Sequence, residues 1–227
     1  MLHLTPDESR VLGVLIEKAT TTPEQYPLSL NAVVNGANQK NNRDPVMGMD
    51  ESAAFEALEG LRGKGLVIRS DMAGSRVNKY KHAAGEALRM RPGETAILAE
   101  LLLRGPQTLG ELRGRASRMH PFESLDVVKQ MLGALSEREE PLVRELPPMP
   151  GSRAERYAQL LCPESHPAEA VGAGDSISEI SDLRSAESAS AGLAARVAAL
   201  ETEVSVLRDA LRRMAQAIGE PDPFGTT

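Results

Sequence analysis

Cysteine and aromatic residues are scarce in this 227-residue chain. The single cysteine, Cys162, excludes a disulfide within the chain and a zinc site built from paired cysteines. The three phenylalanines, three tyrosines and absence of tryptophan argue against a single-stranded nucleic-acid site, because such sites stack bases on aromatic rings. Cys162 follows Leu160-Leu161, so we expect it to be a partly buried apolar group.

Long apolar runs and targeting signals are also missing. No stretch approaches about 18 uninterrupted apolar residues, and the first ten residues lack the basic and apolar regions of a signal peptide. We therefore expect a cytoplasmic protein without a membrane partner.

The net charge of −6 is unevenly distributed. Basic and acidic residues balance at 11 each in residues 1–90 and at 10 each in residues 91–162, whereas residues 163–227 carry 5 against 11. The body of the protein is therefore neutral and the tail is acidic. Neutrality neither supports nor excludes nucleic-acid binding, which depends on how the charges cluster.

Two segments of the chain follow the same plan of helices. Thr5-Pro6-Asp7-Glu8 is typical of a helix start with a capping box, and the helix is expected to end near Lys18. The second copy begins at Gly93 and stops at Gly105-Pro106. The apolar spacing then predicts a second and a third helix in each copy, over Ser29–Gly36 and Asp50–Lys64, and over Thr108–Ser117 and Phe122–Arg138. Phe55 is placed on the apolar face of its helix.

Each copy then ends in a predicted β-hairpin. The first strands are Leu66–Arg69 and Pro141–Arg144, and the segment Gly74–Tyr80 matches Gly151–Tyr157 in four of seven positions. Three helices and a hairpin form the winged helix-turn-helix order. An all-helical array with irregular loops would not explain this recurrence.

We therefore predict a mainly α protein with small β-hairpins, built from tandem winged helix-turn-helix domains and a C-terminal coiled-coil helix. Residues 1–89 form the first repeat and residues 90–162 the second, and each is expected to have its own small core. The first repeat contains an additional loop at Ala37–Met49.

The tail contains a heptad pattern. Residues 163–192 are predicted to be a flexible linker, residues 193–219 a coiled-coil helix and residues 220–227 a disordered tail. The apolar seam favours a parallel homodimer, and its residues are Leu193, Val197, Leu200, Val204, Leu207, Leu211, Met214 and Ile218. A single helix packed against the body would need the same stripe.

Several long motifs resemble the YceH-like family of uncharacterised bacterial proteins. They are Thr21-Thr22-Pro23-Glu24-Gln25-Tyr26-Pro27-Leu28-Ser29-Leu30-Asn31, Asn38-Gln39-Lys40, Asn42-Arg43-Asp44-Pro45-Val46-Met47, Leu103-Arg104-Gly105-Pro106-Gln107-Thr108, Gly110-Glu111-Leu112-Arg113, Leu146-Pro147, Pro150-Gly151-Ser152-Arg153 and Arg156-Tyr157. The resemblance covers residues 4–161 and implies tandem winged helices without an established activity. Family members often carry a cysteine where this chain has Ala37, which puts a redox or metal role there in doubt.

Three groups of polar and basic residues are candidate contacts to nucleic acid or another ligand. They are Asn38, Gln39, Lys40, Asn42 and Arg43 in the Asn-rich loop, Arg76, Lys79 and Lys81 in the first hairpin, and Arg113, Arg115 and Arg118 around the second helix of the second repeat. The alternative is that the loop amides brace their own backbone and that the cations form ordinary solvated surface.

The acidic third helices argue against sequence recognition in the major groove of DNA, because carboxylates close to phosphates lower the affinity for DNA. We keep two hypotheses. The first is a regulatory protein that binds DNA through its hairpins and basic second-helix residues. The second is a protein-interaction adaptor that uses the acidic third helices and binds no nucleic acid.

The sequence predicts no catalytic residues, no metal site and no cofactor. The histidines His3, His82, His120 and His166 are scattered and lack metal-ligand spacing. No P-loop, nucleophile elbow or dinucleotide fingerprint occurs. We therefore expect a protein that is not an enzyme.

Overall fold

The computed structural model describes residues 2–70, 78–149 and 151–166. In the first repeat the elements are α1 (Pro6–Thr21), β1 (Leu28–Ser29), α2 (Leu30–Ala37), α3 (Glu51–Gly63), β2 (Val67–Ser70), β3 (Lys79–His82) and α4 (Ala84–Ala87). In the second they are α5 (Pro92–Arg104), β4 (Gln107–Thr108), α6 (Leu109–Ala116), α7 (Leu125–Ser136), β5 (Val143–Leu146) and β6 (Arg156–Gln159). The chain is therefore mainly helical with small antiparallel sheets.

Polar side chains at the helix starts explain most of these boundaries. The predicted capping box at Thr5 is confirmed, because its hydroxyl accepts from the Glu8 N–H while the Glu8 carboxylate accepts from the Thr5 N–H. Ser29, Asp50 and Ser124 likewise accept a backbone N–H at the starts of α2, α3 and α7. Each cap satisfies a donor that the helix leaves unpaired.

The two repeats contain sheets of the same topology. The strand orders are β1-β3-β2 and β4-β6-β5, all antiparallel. Leu28 pairs with Tyr80 and Gln107 with Tyr157, so the tyrosine of each hairpin occupies an equivalent register position. The two-residue strands β1 and β4 were not predicted, since segments this short carry no periodicity.

Both repeats contribute to one continuous hydrophobic core. Every residue from Glu8 to Glu17 of α1 and from Gly93 to Leu103 of α5 is buried. The expectation of two separate cores is therefore wrong. The physical reason is that α5 is apolar on nearly all sides and needs cover on all sides, and α1 packs against it and covers part of its surface.

Phe55 is not part of this core. It was placed on the apolar face of the third helix, but 46% of its surface is exposed. Ala54, Leu58 and Leu61 form the buried face of α3 instead. Since successive helical residues are about 100° apart, Phe55 lies at the edge of this buried face, next to Leu58 and about 100° from Ala54.

The first residues of the predicted flexible linker are described, and they are ordered, with a short 3-10 helix over Pro163–Ser165. The prediction of a flexible linker is therefore wrong for residues 163–166. The rest of the linker, the coiled-coil helix, the disordered tail and the dimerisation residues lie outside the described residues. The prediction of a homodimer through the heptad seam therefore stays a prediction.

Candidate functional site

The α2–α3 loop, residues 38–49, is held by side chains that reach its backbone. The Asn38 amide donates to the Met49 carbonyl and accepts from the Met49 N–H, both at 2.7 Å. From α1, the buried Arg10 donates to the carbonyls of Ala37 at 3.2 Å and Pro45 at 2.6 Å. Asn38 thus closes the loop across its base, as the bracing interpretation expects.

Arg43 lies inside the protein, with none of its side chain exposed. Its Nε donates to the Gly36 carbonyl at 3.0 Å. Its terminal nitrogens donate to both Glu17 oxygens, at 2.5 and 3.3 Å, to the Asn42 carbonyl at 2.8 Å and to the Gln39 amide oxygen at 2.9 Å. A guanidinium has five N–H donors, and all five are used here. No donor remains for a phosphate.

Glu17 extends this arrangement to the second repeat. Arg118 donates to Glu17 and also to Glu100, the latter at 2.8 Å. Arg104 Nε lies 2.8 Å from a Glu100 oxygen, as an ion-pair contact without hydrogen-bond geometry, and its terminal nitrogen donates to Asn42. We call Arg43, Glu17, Arg118, Glu100 and Arg104 the inter-repeat ion network.

The network favours the ionised form of the Glu17 carboxylate. Burial alone would raise the pKa of Glu17, but hydrogen bonds and charge from Arg43 and Arg118 outweigh it, and the net pKa is lowered. Burial would lower the pKa of Arg118, whereas its contacts with Glu100 and Glu17 raise it overall. Each buried charge is thus compensated by an opposite one.

The other second-helix arginines are also engaged. Arg113 donates to the carbonyls of Phe122 at 3.4 Å and Glu123 at 3.1 Å, although its side chain reaches the surface. Arg115 pairs with Glu111 at 3.1 Å and donates to the Gln107 amide oxygen at 2.9 Å. These two residues therefore brace α6 against its neighbours.

The remaining predicted contacts are lysines at the surface of the first repeat. Lys40 in the loop and Lys81 on β3 are exposed, and Lys79 on β3 is half-buried. Lys79 and Lys81 flank the buried Tyr80, so both point to the outer face of the sheet. Arg76 lies outside the described residues.

Each third helix exposes a large apolar side chain beside acidic ones. On α3, Phe55 is 46% exposed and Glu51 and Glu56 are exposed. At the start of α7, Leu125 is 45% exposed beside Asp126. The acidic character was visible in the sequence, but the outward orientation of these apolar residues was not.

The central role of Glu17 and Glu100 was missed in the sequence. The one available signal is a carboxylate in a helix that is otherwise mostly apolar. Glu100, for example, stands between Ala99 and Leu101. Such a residue is almost never fully buried unless it is paired. Their partners come from distant segments, which local spacing does not reveal.

Asn38→Ala is expected to lower the free energy of unfolding by about 1–3 kcal/mol. The substitution removes both hydrogen bonds to Met49, whose backbone groups then lose their partner in a largely buried position. Urea unfolding measures the change. Asn41→Ala is the control, since Asn41 is exposed in the same loop, and it should stay within about 0.5 kcal/mol of the unchanged protein. Equal effects of the two substitutions would contradict the bracing role of Asn38.

The described residues define a mainly helical protein in which two similar repeats share one core and one ion network. Residues 4–162 match the profile of a family described as a protein of unknown function, DUF480. The chain belongs to this family, and the YceH-like resemblance is confirmed because the two are the same family.

The chain is also similar to curated members of the UPF0502 group. It is 57% identical over 157 residues to a UPF0502 protein of Geobacter sulfurreducens, covering 69% of this chain and 71% of that one. It is 47% identical over 218 residues to a UPF0502 protein of Pelobacter propionicus, covering 96% and 95% of the two chains.

Candidate membrane spans and metal-ligand clusters are both missing from the described residues. None of their helices is long and apolar enough to cross a bilayer. Within the same residues, no group of three or more His, Cys, Asp or Glu side chains is placed to hold a metal ion.

Proposed function

We propose that each repeat is a winged helix-turn-helix and that the pair works as a non-enzymatic, cytoplasmic adaptor for another protein. The fold assignment is supported by the order helix, short strand, two helices and hairpin, which occurs twice with the same sheet topology. The absence of a nucleophile-elbow, P-loop or dinucleotide motif from the sequence supports a role without catalysis.

The observation that carries the adaptor proposal is the exposed face of α3. Phe55 and Glu59 lie four residues apart and so share one face of the helix. Glu59 and the exposed Ile68 of β2 line the same shallow depression. An apolar anchor on a helix with the exposed carboxylates Glu51 and Glu56 is suited to a partner segment that carries an apolar side chain among lysines or arginines.

The cations near this face offset part of its charge, because Arg62 and Arg69 line the same depression as Glu59. Arg62 pairs with Glu59, and Lys64 pairs with Glu8 of α1. Glu51 and Glu56 stay exposed at the start and middle of the helix. A basic partner is therefore attracted to the same helix that would repel the phosphates of DNA.

DNA binding is a second candidate, and the lysines on the first repeat favour it. Lys79 and Lys81 share the outer face of β3, and Lys40 is exposed in the α2–α3 loop. Contacts from such residues to phosphates give affinity that is independent of sequence and falls with salt. A homodimer through the heptad seam would strengthen either activity by linking two weak sites.

A photo-crosslinking residue at position 55 of the full chain, expressed in its native host, tests the adaptor proposal. We expect protein adducts of defined mass at position 55 and none at position 24, an exposed control in the same repeat. Glu51→Lys with Glu56→Lys should remove the adducts. With the identified partner, Phe55→Ala should weaken binding by about 2 kcal/mol, roughly 30-fold.

The same experiment separates the two candidates. No protein adducts at position 55, or adducts that survive the charge reversal, would refute the adaptor. The chain is also titrated with labelled duplex DNA at about 50 mM salt, where phosphate contacts are strong. Binding that is lost in a Lys79→Ala, Lys81→Ala variant would instead establish the DNA candidate.

A further inference from the structure

A cavity of about 220 Å³ lies where the two repeats meet. Its inner wall is apolar and comes from both repeats, with Ile16 from α1, Ala96 from α5, and Met90 and Met119 from the segments that flank α5 and α6. These four side chains are each at least nine-tenths buried. The cavity is therefore a half-open pocket whose inner wall belongs to the shared core, with the exposed residues Thr20 and Pro92 at its rim.

The polar groups of the cavity wall are few and uncharged. Among the described residues, the lining includes no Lys, Arg, Asp or Glu. The hydroxyls of Thr20 and Thr95 donate to helix carbonyls, at 3.0 Å each, so they offer only acceptor lone pairs. A charged ligand group would find no opposite charge here and would lose its hydration.

His82 is the exception in this wall, because part of its hydrogen-bonding capacity is unused. Its Nδ1 is buried without a hydrogen-bond partner among the described residues. Burial lowers the pKa of the imidazole, so the ring is neutral at neutral pH and offers one donor and one acceptor. An unpaired buried nitrogen is costly, so a ligand hydrogen-bonding group that reaches the ring would gain a favourable contact.

The volume and the two methionines narrow the class of ligand. An apolar cavity of about 150 Å³ admits benzene, whereas drug-sized ligands occupy about 300–1,000 Å³. A molecule of one or two rings therefore fits. Methionine thioethers make favourable contacts with aromatic rings and adapt their shape to them.

We propose that this cavity binds a small, uncharged aromatic molecule of one or two rings, with a single hydrogen-bonding group for His82. Such a ligand contacts Ile16 of the first repeat and Ala96 and Met119 of the second. Binding to the folded state stabilises it, so occupancy strengthens the packing between the repeats. This inference does not depend on whether the protein acts on a protein partner or on DNA.

Indole and naphthalene are suitable probes, because they have similar size and only indole carries an N–H. Their binding to the full chain is measured by titration calorimetry and by the rise in Tm. We expect saturable binding of both. His82→Phe should weaken indole about two- to tenfold, the range for one hydrogen bond, and leave naphthalene unchanged.

Two substitutions on different elements are designed to block the cavity. Gly85 lines the cavity, and a Cβ there would lie 3.6 Å from the Met90 carbonyl oxygen and 3.7 Å from the Thr95 hydroxyl, which is ordinary contact, so Gly85→Leu places a larger side chain at the wall. Thr20→Phe changes an exposed residue at the rim and covers the opening. Gly63→Leu is the control, since a Cβ there meets nothing within 4 Å.

Each blocking variant is expected to weaken both probes at least about tenfold, while Gly63→Leu binds them as the unchanged chain does. Thr20→Phe keeps the test valid if Gly85→Leu does not fold. The proposal is overturned if neither probe saturates up to its solubility limit, or if binding persists in both blocking variants. Loss of indole and naphthalene alike in His82→Phe would refute the assigned role of the histidine.

Discussion

Glu17→Gln is expected to lower the free energy of unfolding by about 3–5 kcal/mol, the usual cost of removing one partner from a buried ion pair. Glu17 accepts hydrogen bonds from both Arg43 and Arg118. Arg43 has no exposed side-chain surface, so its charge would stay buried without a compensating carboxylate. Urea unfolding followed by circular dichroism gives the difference.

The control for this substitution is Glu24→Gln. Glu24 is exposed in the short turn after α1, so the same chemical change should alter stability by no more than about 0.5 kcal/mol. A Glu17→Gln protein that is as stable as this control would show that the network does not stabilise the fold.

The pH dependence of the effect has a definite sign. The pKa of Glu17 in the folded protein is below its ordinary value of 4.5. Its stabilising contribution is therefore complete above about pH 4.5 and is lost as the pH falls through the lower folded value. The stability difference between the unchanged protein and Glu17→Gln should stay constant from pH 7 to about pH 5 and shrink below that. A difference that grows toward acid would contradict the assignment.

Leu103→Ala is expected to lower the free energy of unfolding by about 2–5 kcal/mol, because it opens a cavity at the contact between α1 and α5. Leu103 is fully buried, and a Cβ added at Gly13 would lie only 2.8 Å from its Cγ. The absence of a side chain at Gly13 therefore allows Leu103 to pack closely against α1. Gly13→Ala alone should lower the free energy of unfolding by about 1–3 kcal/mol through overpacking. The higher helix propensity of alanine should offset about 1 kcal/mol of this loss.

The combination of the two substitutions gives the sharper test. When Leu103 is shortened to alanine, the new methyl group at position 13 no longer meets it and fills part of the space. The double variant should be at least about 1 kcal/mol more stable than the sum of the single changes predicts. Additivity within about 0.5 kcal/mol would show that the two positions do not contact each other. Urea unfolding of all four proteins provides the values.

Local rules in the sequence were sufficient for most helices. The Thr5 capping box, the apolar spacing of α3 and α7, and the glycine after α5 located these elements to within a few residues. The strands were less well placed. In the second hairpin the matched segment Gly151–Tyr157 is mostly the approach to β6, which begins at Arg156, because Gly and Ser favour turns over strands.

The candidate site was less predictable, because it depends on which distant side chains meet. The spacing of Asn38, Asn42 and Arg43 indicated a polar loop, but it could not distinguish a ligand site from a braced loop. The contacts with Met49, Arg104 and Glu17, which brace the loop, became visible only in the structure. Similarly, Arg118 looked like one of several surface cations until its position between Glu17 and Glu100 was known.

The sequence by itself determined the tandem repeat, the type and order of its main elements, and the family. These depend on caps and on apolar periodicity, which act over a few residues. Only the tertiary structure decided that the repeats share one core, that five charged residues join them, and that a small apolar cavity containing His82 lies between them. Those features come from contacts between residues far apart in the chain. Such contacts cannot be predicted from the local sequence spacing around either residue.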